Sequence, residues 1–180
     1  GKPTPFYDLA DDLEGEWGTQ FIDTYTRENG MFPLVQMSFI GRDMQLTAPE
    51  IIKEPTLSHP VWREAYKKAA VNAVRAVRPL YLSLGNEVNR WYEKYGNDEA
   101  DPNAFCHYVS LYNEIYDAVK AMSPETRVFC TFSREIVNEN READLDVFRF
   151  FSPDKLDIIL LTSYPHALGD VSRPADIPDD

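Results

Sequence analysis

The chain has 180 residues, 43% hydrophobic and 27% charged, the make-up of a globular protein with enough apolar side chains for a core. Its formal net charge of −12 argues against nucleic acid as a partner, because an acidic surface repels phosphate and no basic stripe offsets it. No apolar run approaches the roughly 18 residues of a membrane helix, and GKPTPFYDLADD has no basic segment followed by an apolar one, so neither a membrane span nor a signal peptide is expected in this chain.

In chain order, GTQFIDTYTRENG sets Phe21, Ile22 and Tyr25 at helical spacing, with Gly30 as a stop. MFPLVQMSFIG then predicts a buried strand, and RDMQLTAPEIIKEPTL a loop. SHPVWREAYKKAAVNAVRAVRP predicts a helix capped by Ser58, with Pro60 in its first turn. Its apolar stripe is Trp62, Tyr66, Ala70, Ala73, Val74 and Val77. Pro79 ends it, and the strand LYLSL begins at once.

The pattern repeats. Asp101-Pro102 is expected to open a second long helix, with a broad apolar face from Phe105 to Met122. RVFCTF, Arg127 to Phe132, is the next strand. A third helix is expected over about 142–151, and LDIILLTSYP is the last strand. Cys106 and Cys130 set no disulfide framework and are expected to be buried, unreactive thiols. Strands separated by helices must run parallel with crossovers, so the expected fold class is α/β.

In such folds functional residues gather at the C-terminal ends of the strands. The four strand ends here supply Gln36, Ser38 and Phe39; Asn86, Glu87, Asn89 and Trp91; Ser133, Arg134 and Glu135; and Thr162, Ser163, Tyr164 and His166. Aromatic faces stack on sugar C–H surfaces while amides and carboxylates bond hydroxyls, so this rim suits a neutral polyhydroxylated ligand. There is no phosphate-cradling G-x-x-x-x-G-K-[ST], no dinucleotide G-x-G-x-x-G and no G-x-S-x-G elbow. His59, His107 and His166 lack zinc-site spacing, and only His166 follows a strand end.

LSLGNEVN resembles the fourth-strand signature of the retaining (β/α)8-barrel glycoside hydrolases, a clan with cellulase-like and β-galactanase-like families. The resemblance implies a TIM-barrel fold, with RVFCTF as strand five, LDIILLTSYP as strand six and FPLVQMSFIG as strand three. It implies that Glu87 is the catalytic acid/base and that Asn86 bonds the sugar 2-hydroxyl. Tyr164 matches the aromatic that stands near the nucleophile. Trp91, Asn89, Phe39, Glu135 and His166 complete the candidate substrate-binding set. The chemistry fits the residue types, since a glycosidic oxygen leaves only if protonated and a carboxyl held out of water can supply the proton. No metal or organic cofactor is implied, because two carboxylates suffice. An extracellular or periplasmic location is what the resemblance favours.

The family's nucleophile, a Glu ending strand seven, has no counterpart here, and strands one and two have no clear match. A closed barrel takes about 250 residues. The expectation is therefore a partial barrel of about strands three to six over 1–180, its nucleophile outside this chain and the remaining segments from the same gene or another chain. Two alternatives stay open: an inverting pair of Glu87 and Glu135, spaced about 6.5–9.5 Å apart, and a carbohydrate-binding or structural protein derived from a barrel without turnover.

Overall fold

The structure, a computed structural model, describes residues 4–136, 139, 141–164 and 173. It is α/β. Four strands, β1 (Leu34–Gln36), β2 (Tyr81–Ser83), β3 (Arg127–Ser133) and β6 (Ile158–Thr162), form one parallel sheet in the order β1-β2-β3-β6. A small antiparallel ribbon, β4 (Glu135–Ile136) with β5 (Arg141–Glu142), lies between β3 and β6 in the chain.

The two long helices are α3 (Pro60–Val77), which joins β1 to β2, and α5 (Phe105–Met122), which joins β2 to β3. The α3 stripe forms as the spacing predicts: Trp62, Tyr66, Ala69, Ala70, Ala73, Val74 and Val77 are all buried. Burying each large apolar side chain contributes about 1.5–3 kcal/mol, which outweighs the weak helix propensity of the valines. Both helices pack on the sheet face that carries Val35, Leu82, Val128, Cys130 and Phe132. Three phenols tie them to the strand backbones: Tyr66 and Tyr108 donate to Leu84 O at 2.9 and 3.2 Å, and Tyr112 to Val128 O at 3.1 Å. Cys130 is buried and burial pushes its thiol up, as expected of an inert core cysteine. Cys106 is only half-buried, so the expectation of two buried thiols holds for one.

Several local expectations are corrected. The α3 cap is His59, whose Nδ1 accepts the Trp62 N–H at 3.4 Å, while the Ser58 hydroxyl pairs with that of Thr56. Helix α5 starts at Phe105 because Asp101 closes its own turn, its side chain accepting the Asn103 N–H at 2.8 Å. No long helix covers 142–151. Glu93 captures that stretch, accepting from Arg141 Nη2 and from the Asp144 N–H, each at 2.6 Å. Only a 3-10 stretch, Asp146–Phe150, follows. Near the N-terminus, α1 (Leu9–Glu14) and α2 (Glu16–Thr19) lead into a π-helical segment, Gln20–Thr26. Ile22 is buried there, whereas Phe21 and Tyr25 are exposed. Gly30, at φ 70°, does stop the segment.

An unforeseen helix, α4 (Val88–Tyr95), follows β2 almost at once. Among the described residues, no helix is long and apolar enough to cross a membrane.

Candidate functional site

The opposite face of the sheet carries Gln36, Ser83, Phe129, Thr131, Leu160 and Thr162, fixed there by the register of the four strands and the alternation of side chains along each. With Leu34, Asn86 and Tyr164 these residues line a groove of about 250 Å³. A smaller recess of about 70 Å³, lined by Ser38, Ile40, Met44, Asn86, Glu87 and Arg90, shares the Asn86 wall.

The turn after β2 builds the centre. Gly85 is closely packed: a Cβ there would come within 2.5 Å of Val88 Cγ1 and 2.9 Å of the Tyr108 hydroxyl, so a larger residue would force these side chains to shift. Glu87 then takes a left-handed conformation, φ 51° and ψ 48°. A non-glycine residue held so costs about 1–3 kcal/mol, which the surroundings must offset. They do so through a hydroxyl: the Glu87 N–H donates to Thr131 Oγ1 at 2.8 Å. α4 begins at the next residue, so the chain passes from strand to helix through four residues, Leu84 to Glu87, of which Asn86 and Glu87 are the last two.

Glu87 is 7% exposed and both its oxygens are engaged. Oε1 accepts from Thr162 Oγ1 at 2.7 Å, and Oε2 accepts from Arg90 Nη1 at 3.0 Å. Asn86 is half-buried, and its Oδ1 accepts from Gln36 Nε2 at 2.9 Å and Thr131 Oγ1 at 3.0 Å. β1, β3, β6 and the turn after β2 thus each contribute to one polar cluster.

Glu135 is the second buried carboxylate at this end, 6% exposed. Its Oε1 accepts from Ser163 Oγ at 2.7 Å and lies 3.8 Å from Arg134 Nε, and its Oε2 accepts the Tyr164 N–H at 3.1 Å. It therefore holds the segment after β6 in place. Tyr164 is exposed and lines the groove.

The remaining candidates stand elsewhere. Trp91 is 1% exposed, donates from Nε1 to Asn103 O at 2.8 Å and packs on Phe39 and Tyr95. It is a core side chain, not a sugar platform, because the fourth residue of α4 points inward beneath the helix. Phe39 is fully buried among Trp62, Tyr66, Trp91 and Tyr108 and presents no face to a ligand. Asn89 is also buried, and both ends of its amide are taken: Nδ2 donates to Ser133 O at 2.8 Å and Oδ1 accepts the Ser133 N–H at 2.8 Å. It pins the end of β3. His166 lies outside the described residues.

Sequence reasoning missed Thr131 and Arg90. Thr131 had a signal, the polar residue alternating with Phe129 and Ser133 in RVFCTFS. Arg90 had none until α4 put it one helical turn from Glu87. Among the described residues, no group of three His, Cys, Asp or Glu side chains is arranged to hold a metal ion. A scan of protein-family models finds no match to this chain, and no curated protein matches it either.

Proposed function

We propose that the chain is part of a (β/α)8-barrel glycoside hydrolase of the retaining type, acting on a β-linked poly- or oligosaccharide. Glu87 is its acid/base and Asn86 bonds the sugar 2-hydroxyl. The observation that carries this reading is the Asn86–Glu87 pair at the C-terminal tip of β2, beside a groove lined by Gln36, Thr131, Thr162 and Tyr164. The winding supports the barrel: the strands lie side by side in chain order, and α3 and α5 pack on the same sheet face. A doubly wound sheet would reverse its strand order and carry helices on both faces.

In the first step a nucleophile attacks the anomeric carbon, and the departing glycosidic oxygen takes the proton of the Glu87 carboxyl. In the second, the Glu87 carboxylate takes a proton from water as that water attacks the same carbon and releases the nucleophile. Thr162 and Arg90 hold the two carboxylate oxygens, which fixes the rotamer. Arg90 is 39% exposed at its side chain and is free to yield Oε2 to a substrate. This reading assigns the nucleophile, a carboxylate about 5–5.5 Å away, to a residue outside this chain.

One observation favours a second reading, a carbohydrate-binding protein without turnover. Both Glu87 oxygens are already satisfied within the chain, as a purely structural carboxylate would be. The deciding experiment screens the full-length gene product on a β-glycan panel beside its Glu87→Gln variant. Hydrolysis should fall by about 10²–10⁴ in the variant with binding retained. Unchanged turnover in the variant would remove Glu87 from the mechanism, and binding without turnover in the parent would establish the second reading.

A further inference from the structure

The donors and acceptors around Asn86 form a chain with a single polarity. A backbone N–H can only donate, so the Glu87 N–H makes Thr131 Oγ1 an acceptor at 2.8 Å. The Thr131 hydroxyl proton is then free for Asn86 Oδ1, 3.0 Å away. The second lone pair of Oδ1 takes Gln36 Nε2 at 2.9 Å. With its oxygen doubly occupied, turning the Asn86 amide over would leave the Thr131 proton with no acceptor and would oblige the Gln36 amide to turn over as well. Its nitrogen makes no hydrogen bond to any described residue. Asn86 and Gln36 both stand in the groove wall.

We propose that Thr131 and Gln36 are positioning residues that lock the Asn86 amide with its nitrogen toward the groove, so that this point of the site selects a hydrogen-bond acceptor. The lock is a property of the chain. Only the identity of the acceptor, a sugar hydroxyl oxygen, rests on the glycoside reading above. Thr131 serves both members of the pair at once, since the same oxygen holds the strained Glu87 backbone and orients the neighbouring amide. Threonine is suited to this place because its methyl and hydroxyl let it lie in an apolar strand while offering one donor and one acceptor upward.

The test compares the parent with Thr131→Val, Thr131→Ser and Gln36→Leu by ¹H–¹⁵N NMR of side-chain amides, then by titration with 4-nitrophenyl β-glucoside, 4-nitrophenyl β-galactoside and their 2-deoxy counterparts. Valine keeps the shape of threonine and removes the hydroxyl, and serine restores it. The Asn86 amide signals should shift and broaden in Thr131→Val and in Gln36→Leu and return in Thr131→Ser. Asn86 signals in Thr131→Val and Gln36→Leu that match the parent would overturn the lock. Should the valine variant fail to fold, Gln36→Leu decides alone. The parent should favour the 2-hydroxy glycoside by roughly tenfold, about the net worth of one hydrogen bond. That preference should shrink toward unity in both disabled variants, and its persistence in them would also overturn the proposal. A parent that binds none of the glycosides contradicts the glycoside reading, while the amide signals still decide the lock.

Discussion

The two ends of the parallel sheet handle polar groups differently. At the N-terminal end, both oxygens of the half-buried Asp157 carboxylate are engaged. Lys120 Nζ meets its Oδ2 at 2.6 Å, the Val128 N–H donates to the same oxygen at 2.7 Å, and the Tyr116 hydroxyl donates to Oδ1 at 3.0 Å. Lys120 also donates to Thr126 O, and Thr126 Oγ1 to Pro79 O, each at 2.7 Å. At the C-terminal end two carboxylates are buried within a few residues of the strand tips, each held by one hydroxyl and by one N–H group, and Glu87 sits on a left-handed backbone. Both ends engage their carboxylates, and both carry a left-handed residue, Arg78 at one and Glu87 at the other. They differ in that the C-terminal end borders a groove and leaves the Asn86 nitrogen with no hydrogen bond among the described residues. This difference is the one that parallel α/β folds exploit.

The largest effect should come from the layer beneath the groove. Trp91→Ala should cost about 3–5 kcal/mol, measured by urea denaturation, because it empties a packed core position and orphans Asn103 O. A loss below about 1 kcal/mol would return Trp91 to the ligand surface and blur the contrast between the ends.

A smaller effect is expected at the N-terminal end. Lys120→Met leaves Asp157 partly buried without its cation, and stability should fall by about 1–3 kcal/mol, between the values for surface and fully buried pairs. Groove residues should keep their NMR positions in that variant, and movement at Asn86 or Thr131 would show that the two ends are coupled.

The same carboxylate sets an acid limb. Burial alone would raise the Asp157 carboxyl, but hydrogen bonds from Lys120, Val128 and Tyr116 outweigh it and hold it below the usual carboxylate range. Its contribution is thus fully present above the unfolded-state value and is lost as pH falls through the folded-state value. Glu93 behaves likewise: burial would raise it, and Arg141 and the Asp144 N–H more than compensate. Urea midpoints measured downward from pH 6 should fall less steeply in Asp157→Asn than in the parent. Parallel curves would refute this assignment.

The smallest effect concerns Arg78, which ends α3 at φ 42°. Arg78→Gly should raise stability by up to about 1 kcal/mol by relieving a left-handed arginine, read as a higher denaturation midpoint.

Much of the fold was legible because its signals are local. The alanine and valine spacing in α3 and the apolar runs of β2 and β3 follow directly from burial on one face or two, whereas β6 is an apolar run whose Ile159 and Leu161 stand exposed. The position of Asn86 and Glu87 just past a strand was legible because a polar pair follows directly on the apolar run LYLSL. Trp91, Phe39 and Asn89 misled because exposure depends on α4, whose apolar spacing in VNRWYEKY is short and hidden by the motif before it. The stretch 142–151 misled for another reason: Glu93, some 50 positions earlier, claims its backbone, and no local pattern records so distant a partner.

The most direct measurement follows the backbone and side-chain amide signals of the chain while a neutral β-1,4-linked gluco- or galacto-tetrasaccharide is added. The account predicts shifts confined to Gln36, Asn86, Glu87, Thr131, Thr162 and Tyr164, with Lys120, Val128 and Asp157 unmoved. Shifts centred on the N-terminal end, or no shift with either sugar at millimolar concentration, would contradict it.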